Sequence, residues 1–304
     1  MKTADFATRV TLKNVLFATD FSPCSNAALP YVLAVTRRYG ACLYAAHVVP
    51  SMSEMLLMSP ESWPAAIEAE EETVRAHLDK LEKQFEGIPH QLLTPRGKAA
   101  GALTQIIEDR DIDLLVLGTH GRSGLGKLVL GSVAEEIFRR AACPVLSIGP
   151  HVSSTPDTEI RFQHIVFPTD FSEESLAALP RALSLAEQDQ AQLTLVHVVA
   201  HPAAGIAHLD EVKSSLLHRL QEMVPLPAEA GCQIECRLEF GRQFAPPSDR
   251  ILEIASGQSA DLIFLGVRPV HGKLGLSTHL ASTTAQILTQ AACPVLTVRG
   301  VRVQ

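Results

Sequence analysis

The sequence predicts an α/β protein made of two tandem, doubly wound (Rossmann-like) domains, each with a five-stranded parallel sheet flanked by helices. Two observations predict this class. Short apolar runs alternate with amphipathic helical patterns, and the whole alternation occurs twice along the 304 residues. Runs that are apolar on both faces are typical of parallel strands covered by helices. Such alternation favours an open sheet with right-handed crossovers.

An internal repeat divides the chain. Residues 14–22 (NVLFATDFS) recur as residues 164–172 (HIVFPTDFS), and residues 141–146 (AACPVL) recur as residues 291–296 (AACPVL), so both pairs are displaced by the same 150 residues. An offset that returns to one value after local insertions indicates a duplicated domain. We therefore place one domain at 1–150, a polar linker at 151–158 and a second domain at 159–304.

The elements of the first domain follow from its hydrophobic pattern. Apolar runs at 15–17, 43–49, 114–117 and 145–148 predict four strands, and a weaker run at 90–94 predicts a fifth. A covering helix is predicted where apolar residues recur at helical spacing opposite charged ones, at Ile67, Val74, Leu78, Leu81 and Phe85. The strands at 145–148 and 295–298 would be sheet edges in an isolated domain, and edges of this kind favour pairing with a partner.

Composition excludes several classes of function. A net charge of −7 and a pI near 5.9 give no basic footprint for DNA or RNA. No apolar run approaches the roughly 18 residues that span a bilayer, and Asp5, Arg9 and Lys13 interrupt the region where a signal peptide would be apolar. The six cysteines are dispersed along the chain. We therefore expect a cytoplasmic protein without a membrane or nucleic-acid partner.

The segment 118–132 (GTHGRSGLGKLVLGS) carries the clearest chemical signal. It contains five glycines between a predicted strand and a predicted helix, for which Ser132 is a suitable N-cap. Glycines let backbone amides approach phosphate oxygens, and a helix N-terminus favours negative charge. The segment therefore predicts a phosphate-binding loop, although a flexible turn would use the same glycines.

The spacing of the loop excludes two common phosphate motifs. A Walker A loop needs Ser or Thr where this chain has Leu128, and a dinucleotide-binding loop needs a third glycine where it has Val129. The pattern that fits is Gly118-x2-Gly121-x9-Gly131-Ser132.

On these residues the chain resembles the universal stress protein family, whose ATP-binding members have Gly-x2-Gly-x9-Gly-[Ser/Thr]. Residues 18–20 (ATD), 47–48 (HV) and 143–146 (CPVL) also stand where that family has them. The resemblance covers nearly the whole chain in two copies. It implies a stress-response or regulatory module that binds an adenine nucleotide. It also implies that the last strands pair the two domains about a twofold axis, and we expect the chain to form a homodimer.

The resemblance also implies a set of nucleotide-binding residues: Ala18, Thr19, Asp20, Val48, Gly118, Gly121, Lys127, Gly131, Ser132 and Val133. Asp20 would accept from ribose hydroxyls or help to hold a cation, and the backbone at Val48 would hold the adenine edge. The amides of Gly131 and Val133 would face the phosphates. Lys127 would add a positive charge, unless it is only a solvated loop residue. The implied cofactor is ATP, ADP or AMP with Mg²⁺.

The second copy of the loop departs from the pattern. Pro269, which has no amide donor, replaces the glycine at position 121, and Ala281 stands opposite Gly131. We therefore expect one nucleotide per chain, bound mainly in the first domain.

No catalytic constellation is visible in the sequence, which indicates a binding module rather than an efficient enzyme. Slow ATP hydrolysis with Asp20 beside a cation stays open. The rival interpretation is a protein-interaction scaffold of the same fold that binds no nucleotide. A zinc site from His197, His201, His208 and His218 is disfavoured, because their spacing spreads them over a strand, a loop and a helix.

Overall fold

We analysed a computed structural model of the chain. The structure describes residues 9–51, 63–121, 129–152, 160–200, 209–224, 231–242, 244–267 and 282–299, and for residues 63–70, 209 and 282 it describes the backbone only.

Ten strands and eight helices alternate along the described chain. The first half comprises β1 (Asn14–Ala18), α1 (Pro23–Tyr39), β2 (Cys42–Ala46), α2 (Trp63–Glu82) with a 3₁₀ turn at Lys83–Phe85, β3 (His90–Leu93), α3 (Ala99–Asp109), β4 (Leu114–Gly118), α4 (Ser132–Arg140) and β5 (Val145–Ile148). The second half comprises β6 (His164–Pro168), α5 (Glu173–Asp189), β7 (Gln192–Val199), α6 (Leu209–Glu222), β8 (Gln233–Phe240), α7 (Pro247–Gly257), β9 (Leu262–Val267), α8 (Ser282–Gln290) and β10 (Val295–Arg299).

The strands form one sheet in the order β3-β2-β1-β4-β5-β10-β9-β6-β7-β8. Neighbours within each half are parallel, and the halves join where β5 and β10 pair antiparallel. Leu146 lies opposite Leu296, its own counterpart in the repeat, so the junction has pseudo-twofold symmetry. Both parts of the expectation are confirmed: five parallel strands per half, and pairing of the halves through their last strands.

Two hydroxyl groups reinforce the junction symmetrically. The Ser147 Oγ donates to the Val295 carbonyl oxygen at 2.9 Å, and the Thr297 Oγ1 donates to the Val145 carbonyl oxygen at 3.3 Å. Ser147 and Thr297 are buried counterparts in the repeat. Because each hydroxyl has a partner, the junction buries no unsatisfied polar group at these positions.

The predicted elements are present, and one strand boundary differs by more than one residue. The second strand ends at Ala46 rather than Val49, and Val49 forms only an isolated bridge with Arg96. The covering helix is present at α2, and Val74, Leu81 and Phe85 are buried as its pattern indicates. None of the described helices is long and apolar enough to cross a bilayer.

The first helix of each half has matching signals at both ends. Ser22 caps α1 and Ser172 caps α5, each through its side-chain oxygen. Each helix then ends in a left-handed residue, Gly40 at φ 61° and Gln190 at φ 53°. The repeat therefore fixes the length of both helices at 17 residues.

A buried ion pair links the ends of these two helices. Arg38 of α1 pairs with Asp189 of α5, whose side chain is fully buried, and also donates to the Ile160 carbonyl oxygen at 2.8 Å. On the other side of the pseudo-twofold axis, the Gln188 amide donates to the Val10 carbonyl oxygen at 3.1 Å. The halves are thus tied through their helix ends as well as through the sheet.

We expect the Asp189→Ala substitution to lower the free energy of unfolding by about 2–4 kcal/mol, because it leaves the guanidinium of Arg38 without its buried counter-charge. Urea denaturation measures the effect. Asp210→Ala is the matched control, since Asp210 is exposed and lies 3.5 Å from Lys213; we expect it to cost less than about 0.5 kcal/mol. Equal losses in the two variants would contradict the assignment.

Candidate functional site

A cavity of about 260 Å³ opens at the carboxyl ends of β1, β2 and β4. The strand order 3-2-1-4-5 places the topological switch point between β1 and β4, where ligands bind in open α/β sheets. Nine predicted site residues line this one cavity: Ala18, Thr19, Asp20, Val48, Gly118, Gly121, Gly131, Ser132 and Val133. The tenth, Lys127, lies outside the described residues.

The turn after β1 is held by its own side chains. The amide of Phe21 donates to the Thr19 hydroxyl and the amide of Ser22 donates to an Asp20 carboxylate oxygen, both at 3.0 Å. Thr19 is buried, and its hydroxyl also lies 3.1 Å from the hydroxyl of Ser25. In the second half, Thr169 and Asp170 make the same bonds to the turn's amides. The Thr19 side chain is therefore engaged within the turn, and Thr19 also lines the cavity.

His47 stabilises this turn through a hydrogen bond and a ring contact. Its Nδ1 donates to the Thr19 carbonyl oxygen at 2.8 Å, and its ring packs 4.5 Å from the ring of Phe21, which has a φ of 60°. In the second half, His197 donates to the Thr169 carbonyl oxygen at the same distance. The recurrence of His in both copies is thus explained by a structural role, and none of the described residues form a cluster of three or more metal-ligating side chains.

The two positions of the Gly-x2-Gly motif are occupied by glycine for different physical reasons. A Cβ on Gly118 would lie 2.7 Å from the backbone carbon of Cys24, so Gly118 lets β4 approach the start of α1. Gly266 has the same relation to Glu174 in the second half. A Cβ on Gly121 would instead lie 2.8 Å from the Asp20 carboxylate. Gly121 therefore keeps space beside a carboxylate, whereas Gly118 is required by packing.

The end of the glycine loop differs from the prediction in two ways. The amide of Gly131 donates to the Thr119 carbonyl oxygen at 2.9 Å, so it closes the loop and does not point to a phosphate. Gly131 is also the N-cap of α4, and Ser132 is the first helical residue instead of the cap. The cap has no side-chain hydrogen bond. The amides of Ser132, Val133 and Ala134 are left without intrahelical partners beside the cavity.

The cavity also has walls that the sequence did not predict. Ala99 and Leu103 reach it from α3, and Thr119 and His120 reach it from the variable positions of the Gly-x2-Gly motif. The Ser22 hydroxyl donates to the His120 carbonyl oxygen at 3.3 Å, which ties the glycine segment to the first turn. The apolar Ala99 and Leu103 had no sequence signal, since only the crossover topology brings α3 to this edge of the sheet.

The charge in the cavity comes from few groups. Asp20 is the only acidic residue among the described lining residues, and the partial positive charge of the α4 N-terminus lies across from it. The cysteines contribute no reactive thiol at the repeat's Cys-Pro positions, because burial raises the pKa of Cys143 and Cys293 to about 12. The cavity combines one carboxylate with a helix N-terminus, an arrangement suited to an anion that carries hydroxyl groups.

The second half retains part of this arrangement. Asp170, its turn and Gly266 occupy equivalent positions. Pro269 and Ala281, on which the expected loss of binding rests, lie outside the described residues.

The fold and site define a class: a doubly wound α/β protein with a glycine segment that leads from the fourth strand into a helix N-terminus. The universal stress protein family model matches residues 11–148 and 161–299. The chain belongs to the universal stress protein family, with one copy of its domain in each half.

Individual relatives agree with this assignment. The chain is 31% identical over 138 residues to universal stress protein MJ0531 of Methanocaldococcus jannaschii, covering 45% of this chain and 81% of that protein. It is 25% identical over 251 residues to universal stress protein Rv2005c of Mycobacterium tuberculosis, covering 79% and 80%. A universal stress protein structure from Archaeoglobus fulgidus shares the fold at a TM-score of 0.71 and 19% identity, covering 97% of this chain and 98% of that one.

We expect Gly118→Ala to lower the free energy of unfolding by about 1–3 kcal/mol, because its Cβ would overlap backbone atoms that cannot move alone. Gly121→Ala meets only the end of the Asp20 side chain, and we expect a cost below about 1 kcal/mol. Thermal and urea unfolding of both variants test this order.

Gly101→Ala serves as the control, because Gly101 lies in α3 and a Cβ added there would have nothing within 4 Å. Alanine in a helix is favoured over glycine, so this variant should gain about 0.5–1 kcal/mol. A Gly118→Ala protein as stable as Gly121→Ala would contradict the packing role.

Proposed function

We propose that the protein is an adenine-nucleotide-binding regulatory module with one site, in the cavity of the first half. The observation that carries this proposal is the convergence of four separate segments, residues 18–20, 48, 118–121 and 131–134, around one cavity at a helix N-terminus. The motif spacing that predicts ATP binding and the geometry of the cavity thus point to the same ligand class. In this proposal the domains are 1–150 and 159–304, joined by 151–158.

The phosphates would lie at the start of α4. The amides of Ser132, Val133 and Ala134 are in the first turn of the helix, where backbone donors lack intrahelical acceptors and the helix dipole favours anions. The amide of Gly131 is excluded from this role by its bond to Thr119. Three successive amides are sufficient for a phosphate cradle of the kind found at helix N-termini.

The ribose and the base would occupy the remaining walls. One carboxylate oxygen of Asp20 accepts from the Ser22 amide, and Gly121, which has no Cβ, lies beside the other oxygen. That carboxylate would accept from ribose hydroxyls. The half-buried Val48 and the buried Leu103 offer an apolar surface to the flat face of a base.

The residues also fit a magnesium ion carried by the nucleotide. Mg²⁺ keeps several waters and is bound through one or two carboxylates together with substrate phosphates. Asp20 supplies one carboxylate at the cavity, which is enough for an ion held mainly by the phosphates. In this proposal the protein's part is to orient the nucleotide and its ion.

We expect ATP to bind with a stoichiometry of one per chain and the Asp20→Asn variant to bind it about tenfold more weakly. The amide oxygen still accepts from Ser22, whereas the charge that would hold a ribose hydroxyl or a cation is lost. Isothermal titration calorimetry measures both quantities, and mass spectrometry of the nucleotide released from purified protein identifies the natural ligand.

The repeat offers a matched control. Asp170→Asn makes the same change in an equivalent turn of the second half, and we expect it to leave ATP affinity within about twofold. Two equivalent sites per chain, or equal losses in both variants, would contradict a single site in the first half. The absence of both heat and thermal stabilisation at millimolar ATP would instead favour an interaction scaffold that binds no nucleotide.

A further inference from the structure

A second concave surface lies where the halves meet, beside the residues that precede β1 and β6 and the carboxyl end of α1. This groove of about 570 Å³ includes Arg9, Lys13, Arg37, Arg38, Arg161 and Gln188. Lys13 and Arg161 precede β1 and β6, while Arg37 and Arg38 lie in the last turn of α1. The described lining thus holds five cationic side chains and no carboxylate, although the whole chain has a net charge of −7.

Most of these charges are available to a ligand. Arg38 is neutralised by the buried carboxylate of Asp189. Arg9, Lys13 and Arg37 are exposed, and in the part of the chain that the structure describes they form no ion pair. Like charges held together without compensating carboxylates raise the local potential and attract anions.

The fold itself does not require this charge. The repeat places Gln163, Glu187 and Gln188 at the positions equivalent to Lys13, Arg37 and Arg38. Basic residues in the last turn of α1 favour its dipole, yet α5 reaches the same length of 17 residues without any. Neutral and acidic side chains therefore support the same backbone, and the basic cluster has diverged on one side of the pseudo-twofold axis only.

We propose that this groove binds a small polyanion with at least two phosphate groups, at a site separate from the nucleotide cavity. Guanidinium groups match phosphate oxygens with paired, charge-assisted hydrogen bonds, and the groove's volume suits a small ligand. Arg37 belongs to the first half and Arg161 to the second, so the groove is lined by both halves, and a ligand bound in it stabilises their arrangement. Binding at this site therefore depends on the contact between the two halves and strengthens that contact.

The test is a titration of tripolyphosphate into the full chain at low ionic strength. The double variant Lys13→Gln and Arg37→Glu installs the residues that the second half carries at equivalent positions, and so preserves the fold. We expect it to bind tripolyphosphate about tenfold more weakly than the parent chain. Added salt should weaken binding to the parent chain, because the contacts lie at the surface.

A control variant separates local recognition from net charge. Lys80→Gln and Lys83→Glu remove the same amount of positive charge from exposed positions near the end of α2. We expect tripolyphosphate affinity within about twofold of the parent chain. Equal losses in the two double variants, an unchanged affinity in the groove variant, or no binding at millimolar tripolyphosphate would overturn the proposal.

Hydrogen exchange locates the ligand. We expect tripolyphosphate to protect the amides of residues 9–13 and 37–41, and protection confined to residues 131–134 would overturn the proposal by placing the anion in the nucleotide cavity. The same measurement with ATP distinguishes two sources of the phosphate chain. If both ligands protect residues 9–13, the groove also binds the phosphate chain of a nucleotide. If only tripolyphosphate protects them, the groove binds a free phosphate chain.

Discussion

The antiparallel pairing of β5 with β10 is the interaction on which the architecture depends. Each half alone would expose an apolar edge strand, and this pairing satisfies both edges with each other. The hydroxyls of Ser147 and Thr297 secure it where side chains are buried. Because the pairing is symmetric, it places the carboxyl ends of the two sets of strands apart and brings the ends of α1 and α5 together, where Arg38 meets Asp189.

Because the domain is duplicated, a comparison of equivalent residues in the two halves separates those that the fold requires from those that bind a ligand. The Thr-Asp-Phe-Ser turn and the supporting histidine have the same hydrogen bonds in both halves. Gly118 and Gly266 have the same close packing. These features belong to the fold. Gly121, beside Asp20, corresponds to a proline in the second copy, so the fold does not require a glycine at this position, and its role is one that the proposed site would explain.

Much of the fold could be predicted from the sequence because parallel strands covered on both faces leave a continuous apolar signal. The end of β2 was misplaced, since residues 47–49 remain apolar after the ladder of regular pairs has ended at Ala46. Motif spacing identified the cavity but not the direction of single amides. The amide of Gly131 donates to the Thr119 carbonyl oxygen, and no residue type in the motif encodes that direction.

The basic groove shows why net charge is a weak guide to local electrostatics. An acidic total excludes a broad basic footprint of the kind that DNA requires, but potential near a surface depends on charges within about a Debye length of ~8–10 Å. Lys13 and Arg37 are brought together by the fold of the first half, and Arg161 of the second half joins them through the junction of the halves. Their equivalents across the axis are Gln163, Glu187 and Thr11. A symmetric backbone with asymmetric charge thus provides two chemically different surfaces from one duplicated domain.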